Sequence, residues 1–209
     1  MIHGLADCEA SQSQSHLIRL TLTIGKSFVY TSLEMNIPWR TIIWQQFGAA
    51  IDMLDDALRA CPDELWRERL WEDTSRWPGF SQFWYVVYHA LFWLDLYLTG
   101  AEEGFAPPAP FTLIEQDDEG PMPERPYTKD ELQAYLAYCR QKCQATIEAL
   151  TDEAAQRRCR FGWGEVSFAE LLLYNMRHVQ EHASQLSLRL GQKVGSAPDW
   201  ETKARSSAA

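Results

Sequence analysis

"NMRHVQEHASQL", residues 175–186, places two histidines, His178 and His182, four residues apart in a segment with helical apolar spacing. On a helical wheel at ~100° per residue, Leu172, Met176, Val179, Ala183, Leu186 and Leu190 fall together as a core stripe. Arg177, Gln180, Glu181 and Ser184 fall roughly opposite, on a solvated face. Leu171, Asn175, His178, His182, Gln185 and Arg189 form a third stripe at the flank of the core. Both histidines therefore face a neighbouring helix or an inward cleft. Either they are satisfied packing polars or they are two jaws of a metal clamp.

The surrounding sequence supplies the helices. "SFAE" at 167–170 and "TKDE" at 128–131 each have the spacing of a capping box, in which a hydroxyl and a Glu three residues on satisfy each other's backbone N–H. Each opens an apolar run. The first start predicts a helix from Ser167 to Leu190, stopped by Gly191. The second predicts one from Thr128 to about Leu150. A further helix is expected from about Pro38 to Ala60, with Pro38 tolerated in the first turn. Another is expected from near Ser81 to Thr99, before Gly100. The connection between these last two, "CPDELWRERLWEDTSRWPG", reads as irregular or partly helical. No strong strand signal interrupts the series. The expected fold class is all-α: a four-helix bundle with a long crossover between helices two and three. That crossover, "GAEEGFAPPAPFTLIEQDDEGPMPERPY", is rich in Pro and acid and long enough to travel the height of a bundle.

Residues 1–34 differ in character from the rest of the chain and are expected to be a loose N-terminal extension or a start-site artefact, with Met35 as a second start. Residues 35–192 then make the bundle, and 193–209 a flexible C-terminal tail.

The chain has 209 residues, 46% hydrophobic and 12% aromatic, with nine Trp, which suits one domain with an aromatic core. Its formal net charge of −10, without any basic block, argues against a nucleic-acid partner. Five cysteines without paired spacing point to a reducing, cytoplasmic compartment. The most apolar stretch, "FWYVVYHALFWLDLYL" (83–98), contains His89 and Asp95 and reads as a buried helix, not a membrane span.

His89 lies near the middle of that helix. A buried neutral imidazole needs partners for its nitrogens, because an unsatisfied polar group costs about 1–3 kcal/mol. His89 and His178 sit at similar heights on their helices, so three imidazoles from two helices can converge. Three neutral His nitrogens suit Zn, Ni, Fe or Mn as the divalent ion. Three protein ligands leave positions open for water or a small-molecule substrate, the pattern of a catalytic site.

"FWYVVYHALFWLDLYLTG" and "LLYNMRHVQEHASQLSLRLG" resemble the second and fourth helices of the DinB/YfiT-like superfamily. The resemblance covers about residues 36–191. It implies the DinB-like four-helix bundle and a metal triad of one His on helix two and a His-x-x-x-His pair on helix four, which here are His89, His178 and His182. It also implies a divalent-metal-dependent enzyme, an S-transferase with a low-molecular-weight thiol cosubstrate such as bacillithiol, mycothiol or glutathione, or a metal-assisted hydrolase. The alternative is a non-catalytic stress-response or binding protein whose metal is structural or absent. A homodimer is a further implication of the resemblance.

Other candidates carry less. Cys139 and Cys143 share a stripe with Leu132, Leu136 and Leu150 and read as core fillers. Cys159, among arginines in "RRCRFGWG", reads as an ordinary loop cysteine, with a reactive thiol as the alternative. Asn175 and Gln185 can orient an imidazole or serve helix packing. Asp95 needs a partner, for which Arg189 is one candidate.

Overall fold

The computed structural model describes residues 39–72, 78–117 and 122–206. The expectations for residues 1–34, and for Pro38 as a helix start, lie outside the described residues. The fold is mainly helical: α1 Trp39–Ala60, α2 Phe83–Thr99, α3 Lys129–Glu148, α4 Asp152–Gln156 and α5 Phe168–Val194, with a hairpin of β1 Arg158–Phe161 and β2 Gly164–Ser167. Of the four long helices, α1 packs on α3 and α5, and α2 also packs on α3 and α5.

Both capping boxes are formed. Thr128 and Ser167 each accept the backbone N–H three residues on, and Glu131 and Glu170 reach back to the cap N–H. Gly100 ends α2 in the left-handed conformation, φ 78°. Gly191 does not stop α5: the helix runs on to Val194 and Gly195 takes the left-handed cap, φ 78°. Gly is tolerated inside a helix where neighbours hold it, so its position alone overstated the stop.

The hairpin corrects the expectation of no strand. Arg158 pairs with Ser167 and Phe161 with Gly164 across a two-residue turn of Gly162 and Trp163. The signal was present as Gly-Trp-Gly between alternating residues, the pattern of a tight hairpin. Cys159 therefore lies in a strand and is buried, and burial raises its thiol pKa despite Arg157 and Arg158. A buried thiol with a raised pKa is the opposite of the exposed, low-pKa setting that activates a thiolate. Cys139 and Cys143 are fully buried in the core, and burial raises both thiols.

Helix α2 is buried nearly all round; between Phe83 and Leu98 only His89 and Trp93, one turn apart, are half-buried. Its one carboxylate, Asp95, is fully buried. Lys142 of α3 pairs with it at 2.5 Å, and the Tyr135 hydroxyl donates to its other oxygen at 3.0 Å. Arg189 is not its partner, because it reaches Glu68 at 3.0 Å instead. Asn175 donates to the Leu94 carbonyl at 3.0 Å, so its role is to tie α5 to α2.

The segment after α5, expected as a flexible tail, lies against α1. Ala204 N donates to the Gln45 carbonyl at 2.8 Å, and Arg205 N to buried Asp52 at 2.7 Å. Asp52 also receives Arg140 of α3 at 2.7 Å. Gly48 makes room for this segment, since a side chain there would collide with Ala204. Among the described residues, no helix is long and apolar enough to cross a membrane.

Removing one partner of a buried ion pair strands the other charge. Lys142→Met is expected to lower unfolding stability by about 3–5 kcal/mol in urea titrations. A change below about 1 kcal/mol would show that Asp95 is satisfied by Tyr135 alone.

Candidate metal centre

His89 on α2 and His178 and His182 on α5 meet at one point. His178 Nε2 lies 3.3 Å from His89 Nε2 and 3.1 Å from His182 Nε2. One ligand atom from each ring lies within 4.8 Å of the others, close enough to hold a metal ion. Three nitrogens bound ~2.1 Å from one ion at ordinary coordination angles stand roughly 3.0–3.4 Å apart. The observed separations match that spacing.

The far sides of the rings decide the tautomers. His89 Nδ1 is 2.7 Å from Glu115 Oε2, which also accepts Trp93 Nε1 at 3.1 Å. His182 Nδ1 is 2.9 Å from Gln185 Oε1. A carboxylate and an amide oxygen only accept, so both Nδ1 atoms carry the proton and both Nε2 atoms present lone pairs. A purely hydrogen-bonded cluster must then satisfy two lone pairs from the single N–H of His178, while His178 Nδ1 is itself buried without a partner. A cation between the three rings would take all three Nε2 lone pairs at once, which removes the clash among them, so the residues present fit a divalent ion; His178 Nδ1 stays without a protein partner either way.

Electrostatics favour the same state. Burial first, and then the like charge that a second protonated ring would meet at His89, lowers His178 to about 2 and His182 to about 4. Both are neutral at pH 7, the form that can coordinate a cation. Burial alone would raise Glu115, but its coupling to the His89 ring and hydrogen bonds from His89, Tyr85 and Trp93 outweigh it and hold the carboxyl below its ordinary value. Glu115 therefore stays ionised beside His89, the second partner that commonly orients a metal-binding imidazole.

Nothing local in the sequence singles out Glu115. It sits in a short turn, Leu113–Gln116, within the linker after α2, which folds back over the α2–α5 junction. Glu181, between the two histidines in sequence, is exposed, as the wheel indicated.

A cavity of about 340 Å³ opens onto the cluster. Its walls are Trp71, Phe80, Tyr85, Val86, Trp93 and Ile114, and His89 and His182 form part of its lining. The cluster is therefore not sealed on all sides. Two connections supply the outer wall, with Trp71 and Phe80 before α2 and Ile114 after it.

This arrangement defines a helical protein with a three-histidine cluster at the edge of an aromatic cavity. A family model described as the DinB superfamily matches residues 46–186, and the chain belongs to that superfamily. The crystal structure of a DinB-like protein from Bacillus subtilis is similar to it, with a TM-score of 0.50 at 14% identity, covering 77% of this chain and 98% of that one. That similarity concerns the fold. No curated protein matches the chain.

The depressed histidines give a pH signature in metal-free protein. Unfolded His binds a proton near its ordinary value of 6.5, whereas folded His182 and His178 resist protonation down to about 4 and about 2. The unfolded state therefore binds more protons below pH 6.5, and stability falls as pH drops from there toward 4 and below. Thermal melts of metal-free protein should show this loss, and His182→Gln should flatten the slope between pH 6.5 and 4. An unchanged slope in the variant would contradict the buried, neutral assignment.

Proposed function

We propose that the protein is a divalent-metal-dependent enzyme in which His89, His178 and His182 hold one ion through Nε2. The reading extends the helical fold to the family's four-helix bundle, with residues 100–127 as the crossover between its second and third helices. The observation that carries the function is the convergence of the three rings beside an open cavity, with His178 Nε2 3.3 Å from His89 Nε2 and 3.1 Å from His182 Nε2. A structural site is closed by its ligands, whereas a catalytic one keeps positions free on an accessible side.

Each residue has a defined task. Glu115 holds the His89 proton on Nδ1 and keeps Nε2 free to coordinate. Gln185 does the same for His182. The aromatic walls exclude water and orient a bound molecule. An ion held there would act as a Lewis acid and would lower the pKa of a hydroxyl or thiol that reached it. The reaction class is metal-assisted hydrolysis or transfer to a small-molecule substrate, the transfer using a low-molecular-weight thiol. Zn, Ni, Fe and Mn all suit three imidazoles, and supply decides between them as much as affinity.

Two measurements test this. Plasma mass spectrometry of untagged protein should find about one divalent ion per chain, lost in His89→Ala, His178→Ala and His182→Ala. Equal metal in the parent and all three variants would refute the triad. Glu115→Ala should weaken metal affinity about 10–100-fold, while Glu181→Ala leaves it unchanged. Equal affinities in these two variants would remove Glu115 from the site.

A further inference from the structure

The three imidazoles say what chemistry is available, but the walls of the adjoining cavity say what can enter. Phe80 and Tyr85 stack with centroids 4.7 Å apart and an interplanar angle of 18°, which makes one flat aromatic wall. Trp93 stands beside His89, centroids 6.3 Å apart, and its indole N–H is already given to Glu115. Trp71, 44% exposed, carries the aromatic surface out to the mouth, and Ile114 adds an aliphatic side. The cavity's volume of about 340 Å³ is at the small end of the ligand range.

The charges in this lining are all of one sign. Among the described residues that line it there is no Lys or Arg, while Glu115 and Asp117 both contribute carboxylates. The chain as a whole carries −10, so an approaching anion meets repulsion before it arrives. Inside, it would find no described cationic side chain to pair with, and an unpaired buried charge is strongly disfavoured. A divalent ion on the histidines would do no more than offset the two carboxylates. Of the Glu115 carboxylate, Oε2 is already committed to His89 and Trp93.

We propose that this cavity binds a small uncharged molecule with a flat apolar body, and discriminates against anions of the same shape. The inference rests on the proposed metal function for its chemistry, but the selectivity belongs to the walls. It favours a neutral substrate over an anionic thiol such as glutathione as the molecule that fills the cavity.

The test is calorimetric titration with naphthalenemethanol and naphthalenesulfonate, which share a ring system, the sulfonate being a poor metal ligand. Both metal-loaded and metal-free protein are titrated. The alcohol should bind saturably in both forms, at least about tenfold tighter than the sulfonate. Trp71→Ala, at an exposed position, should weaken the alcohol about threefold or more without changing metal content. Sulfonate binding as tight as the alcohol in the metal-free form, no saturable alcohol binding, or an unaffected Trp71→Ala variant would each overturn the proposal. Protein that carries no metal yet keeps the preference for the alcohol would sink the metal function and leave this inference standing. Protein that carries one ion but shows no preference would do the reverse.

Discussion

Helices α2 and α5 meet across three imidazoles, and the arrangement around that junction answers the problem it creates. The ring nitrogens of three half-buried histidines approach one another, with His178 Nε2 at 3.1 and 3.3 Å from the other two. Left as lone pairs they repel, and protonated they would place like charges in an apolar interior. Glu115 and Gln185 fix the protons on the far side, and the near side is left as a donor set for a cation. Asn175, three residues before His178, secures the helix pair by donating to the Leu94 carbonyl at 3.0 Å. The register that brings the rings together is thus held by a buried hydrogen bond as well as by packing.

The same helix carries a second buried charge that is handled differently. Asp95 is paired with Lys142 and bonded to Tyr135, so the carboxylate, its partner ammonium and a hydroxyl form a closed set between α2 and α3. The histidine cluster has no such closure on its cavity side. One helix therefore presents a sealed polar group toward α3 and an open one toward α5. That contrast is why Asp95 reads as structure and His89 as chemistry. The linker after α2 contributes to both the order and the opening: Glu115 is drawn in to His89, while Ile114 beside it lines the cavity.

Much of this was legible in the sequence because local rules govern it. The starts of α3 and α5 follow from hydroxyl–Glu pairs at Thr128 and Ser167, which act within one turn. The end of α2 follows from Gly100. The inward aim of His178 and His182 follows from helical periodicity, and the pairing with His89 from its place on the most apolar helix together with the family resemblance. What was not legible depends on contacts between distant residues. Glu115 is one of several acids in the linker, and nothing local marks it as the one that reaches His89, 26 residues earlier in the chain. Lys142 is one of several bases near α3, so Asp95 could not be assigned its partner. Gly191 looks like a helix stop, yet α5 passes through it. The hairpin at 158–167 is only four residues per strand, short enough for its Gly-Trp-Gly turn to be read as a loop.

The central claim is that three Nε2 atoms bind one ion, and X-ray absorption spectroscopy at the zinc edge of zinc-loaded protein tests it most directly. The account predicts about three imidazole nitrogens at ~2.0–2.1 Å, with the outer-shell scattering typical of histidine, and no sulfur. That pattern should diminish in His89→Ala. A spectrum dominated by sulfur, or by solvent oxygen without imidazole scattering, would place the zinc elsewhere and contradict it.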